Sequence, residues 1–224
     1  MNKLKNVPSD NEKGSIRIPI DEIILEGNLL VPKGARGVVV FAHGSGSSRF
    51  SPRNRYVANV LQKTGLATLL MDLLTRDEEI IDEQTAQFRF NIELLSQRLT
   101  GVTRWLKEES PLKDLKVGFF GSSTGAAAAL IAAAIQPADV KAVVSRGGRP
   151  DLAREHLLNV RAPTLLIVGG DDLQVIELNK EAMAQINVIT KLEIIPGATH
   201  VFEEPGKLEV VAKLAAEWFI KYLN

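Results

Sequence analysis

The run Gly121-Ser122-Ser123-Thr124-Gly125 has the pattern G-x-S-x-G, a hydroxyl between two residues without side chains. An apolar β-type run, residues 116–120, precedes it, and an alanine-rich helical stretch, residues 123–135, follows. Strand, sharp turn and helix in that order hold a serine exposed above a sheet, with neighbours that approach other backbone too closely for side chains. A helix N-terminus after glycines also suits a phosphate, but the P-loop lysine and the G-x-G-x-x-G spacing are both missing. Ser123 is therefore the candidate nucleophile. A serine at its free pKa is a poor one, so the chain must also offer a base and a carboxylate to orient that base.

The chain has 3 histidines. In the chain order Ser, Asp/Glu, His that goes with a strand–turn–helix serine, His43 comes too early, and His156 sits in a helical-looking stretch, residues 151–158, ahead of a suitable acid-bearing strand end. His200, in the small-residue loop Gly197-Ala198-Thr199-His200, fits as the base. The acid belongs in the loop after residues 165–168, where Asp171 and Asp172 compete. Asp172 is preferred from the spacing Gly169-x-x-Asp172-x-x-Val175, and Asp171 is free to cap the next helix instead. The developing oxyanion needs two backbone donors. One is the N–H of Thr124, after the nucleophile. The other falls to Ser45 in the loop His43-Gly44-Ser45-Gly46, with His43 bracing that loop.

Such residues must meet at one edge of a sheet, and the rest of the chain alternates as an α/β protein does. Residues 15–21 and 22–31 read as an antiparallel pair. Strands are expected at 37–43, 66–70, 116–120, 140–145, 165–168 and 192–195. Helices are expected at 53–63, 90–107, 123–135, 176–186 and 208–223. The polar, acid-rich connection from 72 to 88 reads as a solvated surface loop, or as a lid carrying Asp77, Glu78, Glu79, Asp82 and Glu83. We expect residues 1–14 to be a polar extension and residues 15–224 a single domain.

Composition removes whole classes of function. The 224 residues contain no cysteine, which excludes a disulfide framework, a cysteine zinc site, an iron–sulfur cluster and a thiol nucleophile. Lys+Arg and Asp+Glu balance at 27 each, so nothing draws the chain toward nucleic acid or an anionic membrane surface. Residues 1–14 lack the apolar core of a signal peptide, and the longest apolar run, 125–135, is far short of the ~20 residues of a bilayer span. A soluble, cytoplasmic protein is expected, with no metal and no organic cofactor.

Together Phe41-Ala-His-Gly-Ser-Gly, Gly118-Phe-Phe-Gly-Ser-Ser-Thr-Gly, Leu165-Leu-Ile-Val-Gly-Gly-Asp-Asp and Gly197-Ala-Thr-His-Val-Phe-Glu-Glu-Pro resemble the α/β-hydrolases, and among them the dienelactone-hydrolase-like family. The chain is also similar to the hydrolase-type domains that some bacteria carry fused to a phosphoribosyltransferase. The resemblance implies a mostly parallel sheet of about eight strands with helices on both faces, no separate cap domain, and catalytic residues in loops at the strand C-terminal ends. The enzymes that name the family use a cysteine nucleophile and arginines that hold a substrate carboxylate, whereas this chain presents Ser123.

The expected activity is hydrolysis of small esters or lactones by Ser123, His200 and Asp172 through an acyl-enzyme. Acyl transfer or thioester cleavage on the same residues is the alternative chemistry, and a non-catalytic small-ligand-binding protein the alternative class. Arg146 and Arg149, after the strand at 140–145, are candidates to bind a substrate carboxylate, or else to pair with the acidic connection.

Overall fold

Fully apolar β-branched runs make strands that are buried on both faces, the signature of a parallel sheet covered by helices. The computed structural model describes residues 13–224 and shows that sheet. An antiparallel hairpin opens it, β1 (Lys13–Ile20) and β2 (Ile23–Leu30), in register from Lys13↔Leu30 to Ile20↔Ile23. Asp21 turns the hairpin with φ at 50°, and alternation buries Ile16, Ile18 and Ile20 on one face. Of the polar extension expected at residues 1–14, residues 13 and 14 already belong to β1, and the rest lies outside the described residues.

The parallel part follows as β3 (Gly37–Ala42), β4 (Ala67–Met71), β5 (Lys116–Ser122), β6 (Val140–Arg146), β7 (Thr164–Gly169) and β8 (Thr190–Ile195). Among the described residues the sheet has eight strands in the order β1-β2-β4-β3-β5-β6-β7-β8. Helix α1 (Pro52–Lys63) and helix α6 (Lys207–Leu223) cover one face, burying Val57, Leu61, Trp218 and Phe219 around Phe41 and Phe120. On the other face lie α3 (Ile92–Glu108), with Leu95, Leu99, Val102 and Leu106 buried, and α4 (Thr124–Ile135), with its run of buried alanines. Alanine lets α4 lie close to the sheet and has the best helix propensity. Helix α5 (Leu173–Met183) packs at the β7–β8 end.

Strand β3 lies between β4 and β5. The chain thus leaves β3 toward one side and later returns on the other, so the loops after β3 and β5 open side by side at the carboxyl edge. Such a reversal is where ligands bind in open α/β sheets.

Three segments differ from the sequence reading. The connection at 72–88 contains a helix, α2 (Arg76–Thr85), opened by a capping box in which Thr75 Oγ1 accepts the Glu78 N–H and Glu78 accepts the Thr75 N–H. The stretch expected to be helical at 151–158 is a 3₁₀ helix, Pro150–Asn159, broken at Arg154 with φ 47°. Helix α5 starts at Leu173, three residues before the expected start at 176. Among the described residues no helix is long and apolar enough to cross a membrane.

Candidate active site

Ser123 stands between β5 and α4 with φ 51° and ψ −121°, a conformation costly for any residue with a Cβ and held only where the surroundings enforce it. The two glycines explain how the turn closes. A Cβ on Gly121 would lie 2.4 Å from Ala126 Cα, and one on Gly125 would lie 2.4 Å from the carbonyl oxygens of both Ala42 and His43. A side chain at 121 would push the first turn of α4 away from β5, and one at 125 would push the serine turn off the end of β3. The turn is also tied to the end of β6 and the chain just after it: the Ser123 N–H donates to Arg146 O at 3.4 Å, and the Arg149 N–H to Ser123 O at 3.2 Å.

The loop after β3 comes close to the serine, since a Cβ on Gly44 would sit 3.1 Å from Ser123 Cβ. His43 braces this loop. Its Nδ1–H donates to Gly44 O at 2.9 Å, and Nε2 accepts the Leu73 N–H at 3.1 Å. Both nitrogens are thus used by backbone in the neutral ring, and burial pushes its pKa below the ordinary histidine value. The Ser45 N–H, expected to face a substrate oxygen, donates in this structure to Thr124 Oγ1 at 3.0 Å.

Of the two adjacent carboxylates, Asp172 is the one that reaches the histidine. Its Oδ2 lies 2.7 Å from His200 Nδ1. Asp172 also occupies the N-cap position of α5 but makes no side-chain cap bond. Asp171, suggested as the cap, is instead exposed, with its N–H donating to Ala198 O at 3.0 Å. The histidine loop closes on the end of β6. A Cβ on Gly147 would lie 2.7 Å from His200 O and 3.6 Å from its Cε1, and Gly147 directly follows Arg146, whose carbonyl binds Ser123. Ser123 and His200 therefore flank the same strand end.

Two cavities border this edge. One, of about 340 Å³, is walled by the loop from His43 to Ser47, by Leu73, Leu74 and Leu95, and by Asp72, Glu79, Asp82, Glu83 and Arg89. The acidic connection thus builds a cavity wall through α2. Asp82 anchors its end, accepting the N–H groups of Phe88 and Arg89 and the Arg89 Nε–H, at 2.7, 2.9 and 2.6 Å. Burial alone would raise the Asp82 pKa, but these donors outweigh it and hold the carboxyl below its ordinary value. Glu79 is displaced the other way, raised by desolvation and by the nearby charges of Asp72 and Glu83. The second cavity, of about 410 Å³, lies on the far side of Thr124, against Phe90, Ile92, Arg149 and Arg154.

The two arginines proposed as substrate ligands are otherwise engaged. Arg146 is 6% exposed and donates to Ser122 and Asn54, so its guanidinium is closed to a substrate carboxylate. Arg149 faces the second cavity, but its Nε–H and Nη2–H both bind Asp151, at 2.9 and 2.8 Å. Neither pairs with the acidic connection. Asn54, Arg89 and α2 escaped the sequence reading, although the spacing Thr75-x-x-Glu78 was a visible helix start. Among the described residues no group of three or more His, Asp or Glu side chains could hold a metal ion.

A family model for the dienelactone hydrolase family matches residues 25–223. A crystal structure of a dienelactone hydrolase from Anabaena variabilis ATCC 29413 is 58% identical with a TM-score of 0.94, covering 95% of this chain and 99% of that one. Est1E from Butyrivibrio proteoclasticus shares the fold at 19% identity and a TM-score of 0.77, with coverage of 93% and 98%. A Mycobacterium tuberculosis H37Rv protein, provisionally named a phosphoribosyl transferase, is 56% identical over 208 residues, which are 93% of this chain and 46% of that protein. The chain thus spans about half the length of the curated relatives it matches. With a matching family model over most of its length and a 58% identical relative over nearly all of it, the chain is a hydrolase-type protein that belongs to the dienelactone hydrolase family.

Proposed function

We propose that the chain is a serine hydrolase that cleaves esters or lactones of small carboxylic acids. The observation that carries this reading is the 2.7 Å bond from His200 Nδ1 to Asp172, made beside a serine held at φ 51°. With Nδ1–H fixed on the carboxylate, Nε2 is left as the basic nitrogen.

In this mechanism Ser123 Oγ attacks the substrate carbonyl carbon while His200 Nε2 takes the hydroxyl proton. The tetrahedral oxygen binds the N–H groups of Thr124 and Ser45, so the carbonyl oxygen takes the place that Thr124 Oγ1 holds on Ser45. Asp172 stabilises the imidazolium. His200 then returns the proton to the leaving alcohol oxygen as the C–O bond breaks, which leaves an acyl-Ser123. Water, deprotonated by His200, attacks the acyl carbon, and His200 returns that proton to Ser123 Oγ as the acyl C–O bond breaks and the acid is released. No cofactor enters these steps. The name of the Anabaena relative directs the substrate search to lactones beside acyclic esters.

A fluorophosphonate probe and a panel of p-nitrophenyl esters of graded chain length, run with lactones and thioesters, test the reading. Wild-type protein should be labelled and turn over an ester or lactone, and Ser123→Ala should lose labelling and about 10⁵–10⁶-fold of kcat. Labelling that survives Ser123→Ala overturns the nucleophile assignment.

A further inference from the structure

Arg146 is a buried charge that the hydrolytic steps leave unused. Its side chain is 6% exposed, and its Nη2 donates to Ser122 Oγ at 2.9 Å and to Asn54 Oδ1 at 3.2 Å. Ser122 Oγ–H itself donates to Asn54 Oδ1 at 3.1 Å, which closes a triangle of three buried groups. The guanidinium carbon lies 6.0 Å from the centroid of the Phe202 ring, within range of a cation–π contact. Nε has no partner. No carboxylate among the described residues bonds the group. The charge acting on it is the like charge of Arg53, and this, after burial itself, pushes its pKa down to about 10.

Burying a cation without a counter-ion is costly, and an apolar side chain of similar volume would hold a core at least as well. What the guanidinium supplies that an apolar group cannot is directed bonds to two pieces of the site and a cation–π contact with a third. Ser122 is the residue before Ser123. Asn54 stands on α1, the helix that follows the loop after β3. Phe202 is two residues beyond His200. Both Ser123 (φ 51°) and Phe202 (φ 58°) are held in the left-handed region, where a residue with a Cβ stays only under restraint from its surroundings. The Arg146 backbone joins the same pieces: its carbonyl accepts the Ser123 N–H, and the next residue, Gly147, runs directly beneath His200.

We propose that Arg146 is a positioning residue that ties the serine turn to the histidine loop, its guanidinium bonded to Ser122 and Asn54 and set against the Phe202 ring. The role depends on the planar guanidinium, whose Nη2 bonds both acceptors while its carbon lies 6.0 Å from the centre of the ring. Lysine carries the charge but not that geometry. The proposal rests on the serine-hydrolase reading, in which the distance between Ser123 and His200 controls the rate.

The test compares Arg146→Met, Arg146→Lys and the milder Ser122→Ala, which removes one of the two acceptors of Nη2. Three quantities are read: the melting temperature, the far-downfield proton resonance of His200 Nδ1–H, and the fluorophosphonate labelling rate with kcat and KM. The resonance is assigned by its loss in His200→Ala and needs no substrate. In Arg146→Met and Arg146→Lys the resonance should broaden or shift, and labelling and kcat should fall about tenfold to a hundredfold, as for a small misplacement of reacting groups. KM should stay within about twofold, the mark of an interaction expressed in the transition state. Ser122→Ala should move resonance and rate in the same direction at nearly unchanged melting temperature, so the test survives if the arginine variants fail to fold. A lowered melting temperature with resonance and kcat unchanged, or a Ser122→Ala protein like wild type in both, overturns the proposal. If wild-type protein takes no label, the serine-hydrolase reading fails, while the His200 resonance still decides whether Arg146 holds that loop.

Discussion

Asp172 sits at the N-cap of α5 yet turns its carboxylate away from that helix and onto His200 Nδ1, 2.7 Å away. Aspartate is among the best N-cap residues, and a cap bond stabilises a helix by ~1 kcal/mol. Here that bond is not made, and the carboxylate's Oδ2 is given to His200 instead.

Asp172→Asn should therefore lower kcat by about 10⁴-fold, because the amide favours the wrong imidazole tautomer, while the melting temperature holds, since no cap bond is lost. Asp171→Asn should match wild type in both. An Asp172→Asn enzyme within tenfold of wild type would remove Asp172 from the mechanism.

Thr124 Oγ1 holds the Ser45 N–H, the donor that the proposed mechanism gives to the substrate oxygen. A net hydrogen bond is worth ~1 kcal/mol, so Thr124→Val, which keeps the shape and frees the donor, should raise kcat/KM by up to about fivefold or leave it unchanged. A loss beyond tenfold in ester turnover would show instead that the threonine hydroxyl itself holds the oxyanion.

Asp82 gives the acidic wall a pH-dependent anchor. Its pKa is depressed in the folded protein, so its stabilisation is fully present above the ordinary aspartate value of ~3.9 and is lost as pH falls through the lower folded value. Asp82→Asn should cost about 2–3 kcal/mol at neutral pH. Its melting temperature should converge on that of wild type in acid. A gap that stays constant down to pH 2 would mean that charge is not the source.

Fold and site were legible to different depths for physical reasons. Ser123 could be found because the turn requires glycine on both sides, and the backbone approaches at Gly121 and Gly125 are the reason. The sheet was legible because runs such as Val38–Val39–Val40 are buried on both faces. Helix α2 escaped because its apolar residues, Ile80 and Ile81, are adjacent and exposed, so no 3.6-residue stripe marks it. It is fixed at its ends instead, by Thr75 with Glu78 and by Asp82 with Arg89. Arg146 was misjudged because an arginine at a strand end is usually exposed, and nothing local signals Asn54, 92 residues earlier, as its partner. The loop after β3 that holds Ser45 is plain in the sequence, but that its N–H bonds Thr124 Oγ1 is a tertiary fact.

The acid-lined cavity beside the serine has a consequence for the end of the catalytic cycle. On the proposed chemistry each turnover creates a carboxylate where a neutral ester stood, next to the loop after β3 that this cavity shares with Glu79 and Glu83. Glu79 already gains its charge reluctantly beside these neighbours, and one more anion in the same space is repelled by the same field. On the proposed chemistry, a wall of that charge would favour departure of the acid over its retention.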